Sequence, residues 1–112
     1  MIKDSSGKVI VGKSRLCKDF FSKSLGLMFS LPKKDFGLIL AFKDERMISL
    51  HMWFVFYPID VVFLDRQKKV VDILENFRPF TFASSKTRAM YALEMPAGTV
   101  AGKVKPGQKL EF

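Results

Sequence analysis

Four residues in this sequence carry side chains suited to chemistry at a shared polar site: His51, Trp53, Asp60 and Glu94. His51 is the one histidine of the chain, and Asp60 follows directly on the apolar stretch HMWFVFYPI that His51 begins. A histidine with two carboxylates can exchange protons, and a tryptophan beside them supplies an apolar wall, which together is the usual make-up of a small-ligand pocket. The elements that would turn such a patch into a known kind of active centre are missing. There is no Gly-x-Ser-x-Gly element for a nucleophile and no Gly-x-Gly-x-x-Gly loop for phosphates. One histidine and one cysteine do not make a structural zinc centre, so neither metal nor other cofactor is expected. The first reading is therefore a small, non-enzymatic ligand-binding or accessory domain with a polar patch on His51, Trp53, Asp60 and Glu94. No residue is assigned as catalytic. A small hydrolase or isomerase built on Asp60 and His51 is the least favoured alternative.

Each of these residues also has a structural explanation. Asp60 lies just past Pro58, which has no N–H to give to a strand ladder. Its carboxylate could accept hydrogen bonds from main-chain amides at a corner between two sheet segments. His51 shares a mixed strand face with Ser49 and Trp53, where a histidine hydrogen-bonded beside the core is the simpler explanation.

A second alternative rests on charge. The net charge is +8 and the pI about 9.8, which favours anionic partners. Phe77, Phe80 and Phe82 interleave with Arg78, and Lys86 and Arg88 follow, as in proteins that stack and neutralise single-stranded nucleic acid. On this reading Arg78, Lys86 and Arg88 are the nucleic-acid contacts. Against it, cations are spread along the whole chain and the phenylalanines alternate as packing residues do. The partner thus stays open between a small molecule, another anionic partner and nucleic acid.

The chain of 112 residues is expected to be one domain, residues 1 to 112. The unpaired Cys17, the lack of an apolar leader and the polar breaks in the run Met47 to Leu64 point to the cytoplasm and not to a membrane. Asp60 alone would cost about 3 kcal/mol at the centre of a membrane span, and Pro58 would break the helix.

The elements that must position the candidate residues are mostly short strands. Residues 2 to 4 and 8 to 12 flank Ser5-Ser6-Gly7 as a hairpin. Residues 15 to 24 show the one helical pattern, with Leu16, Phe20 and Ser24 on one stripe, Ser14 as cap and Gly26 as stop. Gly37 to Phe42 reads as a strand, followed by a charged turn at Lys43 to Arg46. Met47 to Tyr57, Ile59 to Asp65, Lys69 to Glu75 and Ala89 to Met95 read as further strands, the middle two joined by a hairpin turn at Asp65 to Lys68. Lys105-Pro106-Gly107-Gln108 fits a type II turn leading to a last strand at residues 109 to 112. About eight short strands and one short α-helix indicate a mainly β fold, a small antiparallel β-sandwich or barrel.

Five motifs in order add a likeness. Gly26-Leu27-Met28-Phe29, Leu31-Pro32, Pro58-Ile59-Asp60 with Val61 to Asp65, Tyr91-Ala92-Leu93-Glu94 with Ala97-Gly98, and Pro106-Gly107-Gln108 together resemble the family catalogued as domain of unknown function number 192, over about residues 15 to 112. The resemblance implies a mostly β, jelly-roll-like fold found in bacteria and archaea and brings no established activity. This chain departs from the family pattern at Ser30, where an arginine is common. It departs again at His51 to Tyr57, where a Trp-Met-Lys-Asn-Thr segment is common.

Overall fold

The computed structural model describes residues 1–18, 35–51, 58–78 and 82–112. Their strands are β1 (Ile2–Asp4), β2 (Val9–Val11), β3 (Lys13–Cys17), β4 (Phe36–Arg46), β5 (Ser49–His51), β6 (Ile59–Leu64), β7 (Val70–Phe77), β8 (Phe82–Ser84), β9 (Ala89–Pro96) and β10 (Leu110–Glu111). A five-stranded sheet in the order β3-β4-β9-β6-β7 carries a three-stranded sheet, β10-β1-β2, on one face. A two-stranded pair, β5-β8, completes the described set. The result is sandwich-like and not a closed barrel, and the described residues contain no helix.

The two faces of the large sheet follow from strand alternation. In β6 every residue is buried, the mark of a strand covered on both sides. Val62 and Leu64 join Ile39, Leu93 and Met95 against Ile2, Val11 and Leu110 of the small sheet, forming one core cluster. Val61 and Phe63 join Leu38, Leu40, Cys17 and Ala92 in a second cluster on the opposite face, which Ile48 also enters. The sheets approach closely at Gly37, where an added Cβ would stand 2.9 Å from Ile2 Cδ1 and 3.0 Å from Val11 Cγ2. A side chain there would push them apart.

Aspartates hold the tight connections. Asp4 Oδ1 accepts from the Ser6 amide at 2.9 Å, the Ser6 hydroxyl at 2.6 Å and the Lys8 amide at 3.0 Å, closing the β1–β2 hairpin. The Ser6 hydroxyl above all keeps this carboxyl below the usual carboxylate range. Asp65 Oδ1 does the same for the β6–β7 hairpin through the amides of Gln67 and Lys69. These are Asx-type turns, in which a side chain stands in for a turn carbonyl. The type II turn expected at residues 105 to 108 is present, with Gln108 N donating to Lys105 O and Gly107 at φ 88°.

Two expectations need correction. Arg15 to Cys17 are not the start of a helix but the end of β3, because Lys13 to Cys17 pair in register with Phe36 to Leu40. Lys18 follows the strand outside any helix, and residues 19 to 24 of the expected helix lie outside the described residues. The β3–β4 pairing is parallel, while the other pairings of the large sheet are antiparallel, as a mainly antiparallel fold allows. Lys43 to Arg46 are not a turn either. They continue β4 past an irregularity in its pairing with β9, which resumes at Arg46↔Ala89, and their charge reflects an exposed strand end.

Candidate functional site

Asp60 is 1% exposed and its carboxylate is fully engaged. Oδ1 accepts from the Asn76 amide at 2.9 Å, and Oδ2 accepts from the amides of Gly98 at 2.9 Å and Val100 at 3.2 Å. The strand registers explain why. Ile59 pairs with Phe77 and Val61 with Leu74, so residues 75 and 76 of β7 bulge opposite Asp60 alone. Asn76 takes a left-handed conformation, φ 54°, and turns its N–H toward the acid. On the other side, the chain leaving β9 turns at Gly98, φ 91°, and two of its amides meet the second oxygen. The acid thus ties a bulge and a turn to the central strand. The main-chain donors expected for it are there, but they come from β7 and from the β9 turn. A carboxylate with both oxygens committed to three main-chain donors offers little to a substrate.

Glu94 is treated oppositely. It is 5% exposed, and its Oε2 has no hydrogen-bond partner. In β9 it pairs with Leu38 of β4 and Val61 of β6, both members of the second core cluster. Burial pushes its carboxyl up to about 8, so it is mostly neutral at pH 7. Asp60 pairs with Met95 while Glu94 pairs with Val61, so the two acids point to opposite faces of the sheet. The structure does not bring them together.

His51 ends β5, opposite Phe82 of β8, and Trp53 lies outside the described residues. Ile48, just before β5, enters the cluster that Glu94 faces, so β5 follows on from that side of the sheet. Arg78, Lys86 and Arg88 are all exposed. Lys86 and Arg88 share the turn between β8 and β9, which is anchored where the Lys86 amide donates to Asp72 Oδ2 at 2.9 Å and Ser85 exchanges hydrogen bonds with Ile48. Among the described residues no three His, Cys, Asp or Glu side chains gather as a metal-ligand group.

A different site emerges on the face that the small sheet only partly covers. A groove of about 670 Å³ is lined by Leu16, Ile39, Ala41, Tyr91 and Phe112, with Lys68 at its edge. Leu16 is 50% exposed, unusual for a leucine beside a core, and it marks where apolar floor meets solvent. The Tyr91 and Phe112 rings pack edge to face, with centroids 5.3 Å apart. Lys68 Nζ stands 4.2 Å from the centre of the Phe112 ring and 6.0 Å from that of Tyr91, and it donates to the main-chain oxygen of Phe112 at 2.8 Å. Lys18 and Lys43 also line the groove. Its volume falls within the range of small-ligand sites. Sequence reasoning missed these residues. Leu16 reads there as part of a helical stripe, and only the parallel pairing of β3 puts it beside Ile39.

No helix among the described residues is long and apolar enough to cross a membrane. Similar solved structures include a provisionally assigned transcription regulator from Sinorhizobium meliloti, at 27% identity and TM-score 0.84, covering 98% of this chain and 88% of that one. A protein of unknown function from Novosphingobium aromaticivorans matches at 25% identity and TM-score 0.85, covering 99% and 81%. Among curated proteins, a UPF0127 protein of Thermococcus sibiricus is 35% identical over 89% of this chain, which spans 65% of that relative's length. A UPF0127 protein of Pyrococcus furiosus is 34% identical over 100% of this chain and 97% of its own length. The family model for domain of unknown function 192, described as Uncharacterized ACR, matches residues 1–112, and this chain belongs to that family.

Proposed function

We propose that this chain is a small-ligand-binding or accessory domain that holds its ligand in the groove between β3, β4, β9 and the segment ending at Phe112. One observation carries the reading. An apolar floor, with Leu16 half exposed and an aromatic pair beside it, stays open at the edge of a sheet whose remaining face is packed. An apolar, partly aromatic lining with a few polar groups at its margin is the usual make-up of a small-ligand pocket. The unpaired, buried Cys17 accords with a reducing compartment, and we place the protein in the cytoplasm.

The test uses phenylnaphthylamine, a neutral fluorophore with a flat apolar body. The wild-type chain is expected to bind it with a blue-shifted emission. Leu16→Asp should weaken that binding about ten-fold or more while costing only about 1 kcal/mol of stability, because the side chain is already half in water. No binding by the wild type, or equal binding by the variant, defeats the reading.

A second reading is favoured by the exposed Arg78, Lys86 and Arg88, and by the assignment of the Sinorhizobium relative as a transcription regulator. A nucleic-acid partner would show affinity falling steeply with salt, with a log–log slope of about −0.9 per phosphate neutralised on duplex DNA. Retention indifferent to salt excludes it.

A further inference from the structure

The geometry points to Lys68 as the residue that receives the anionic group of an organic anion, a carboxylate, sulfonate or phosphate on a flat apolar body, seated in this groove. The inference rests on the groove reading above and adds the class of ligand. It begins with the backbone. Lys68 lies in the β6–β7 hairpin at φ 64°, a left-handed conformation that glycine adopts at no steric cost and other residues rarely take. The turn does not depend on its side chain. Asp65 Oδ1 holds the Gln67 and Lys69 amides at 2.9 and 3.0 Å, and the Lys68 amide and carbonyl bond to Asp65 O and the Leu110 amide. Glycine would serve this hairpin at least as well, so the strained lysine calls for a reason in its side chain.

That side chain crosses to the groove. Its ammonium lies against the Phe112 and Tyr91 rings and gives one of its three N–H donors to the main-chain oxygen of Phe112. Two donors remain, at the point where the apolar floor ends. Lys18 and Lys43 line the same groove and the chain carries a net charge of +8, so the potential at this edge favours an anion. An apolar floor with edge-to-face rings suits a flat body, and an ammonium at one end fixes its direction. A neutral ligand would use the floor and leave the lysine idle.

The experiment compares two probes with the same aromatic body, neutral phenylnaphthylamine and anionic anilinonaphthalenesulfonate. Each is titrated into the 112-residue chain and into its Lys68→Gly and Lys68→Arg variants. Lys68→Gly keeps the left-handed turn and removes the ammonium. The expected result is that the wild type prefers the anionic probe, that Lys68→Gly loses about ten-fold or more in affinity for it with little change for the neutral one, and that Lys68→Arg restores most of the loss. Should the wild type bind both probes alike, or Lys68→Gly lower both affinities equally, the groove reading stands and the role of Lys68 falls. Should the wild type bind neither, both fall together.

Discussion

Asp60 and Glu94 sit on adjacent strands, one register position apart, both almost wholly buried, and the fold handles them in opposite ways. Asp60 has three main-chain donors, supplied by a bulge and a turn. Glu94 has an oxygen with no partner and a neighbourhood of Leu38 and Val61. Burial alone therefore does not decide what a carboxylate does; the supply of donors on its face decides it. The face toward the small sheet has loops at its end that aim amides inward. Among the described residues the face at Glu94 offers side chains of the second hydrophobic cluster, and the acid responds by keeping its proton.

The contrast can be tested from its strongest side first. Asp60→Ala should cost about 4–5 kcal/mol, since three buried amides lose their acceptor together. Chemical denaturation would read it, and a loss under about 1 kcal/mol would mean that solvent satisfies those amides and that the corner is not anchored here. Glu94 should instead reveal itself through pH. Its folded-state value, raised to about 8 from an ordinary 4.5, means that the folded chain binds the extra proton between those values. Stability should then fall as pH rises across that window, by an amount on the order of 3 kcal/mol between pH 5 and pH 8, and level off above. Glu94→Gln, which mimics the neutral acid, should flatten that part of the profile and make the variant more stable than wild type above pH 8. An unchanged slope would show that Glu94 is ionised in the folded chain.

Asp72 offers an intermediate case, 8% exposed with two amide donors, its neighbour Ile73 and the distant Lys86. Asp72→Ala should cost about 1–2 kcal/mol and should speed hydrogen exchange in the turn at residues 85 to 88 before anywhere else. A uniform effect would say that it acts on the whole sheet. Lys68→Gly should have the smallest consequence, within about 1 kcal/mol of wild type in thermal unfolding, because relief of the left-handed strain offsets the extra freedom of the unfolded chain. A loss well beyond that would make Lys68 a fold anchor like Asp60 and weaken its assignment to ligand binding.

Much of the scaffold is legible in residues alone. Alternation in Ala89 to Met95 separates Tyr91, Leu93 and Met95 from Met90, Ala92 and Glu94, and the two core clusters divide along that line. The hairpin at Asp65 and the turn at Pro106-Gly107 are written in their turn residues, and the need of Asp60 for main-chain donors follows from the cost of burying a charge. The start of the expected helix was misleading, because Leu16 and Cys17 lie on opposite faces of a strand, a distinction that helical spacing blurs over so few residues. The charged end of β4 misled for a similar reason, since exposure at a strand end and a turn leave the same composition. The four-residue polar patch could not be judged at all from spacing, because one step of register decides which face a side chain takes.

What the sequence determined by itself is local: where chains turn and which positions are apolar. Those follow from interactions within a few residues. Tertiary structure alone decided that Asp60 and Glu94 part to opposite faces, that β3 lies parallel to β4, and that Leu16, Lys68, Tyr91 and Phe112 meet around one groove. These depend on pairing between segments far apart in the chain, and that pairing is chosen by the packing of whole faces rather than by any neighbouring residue.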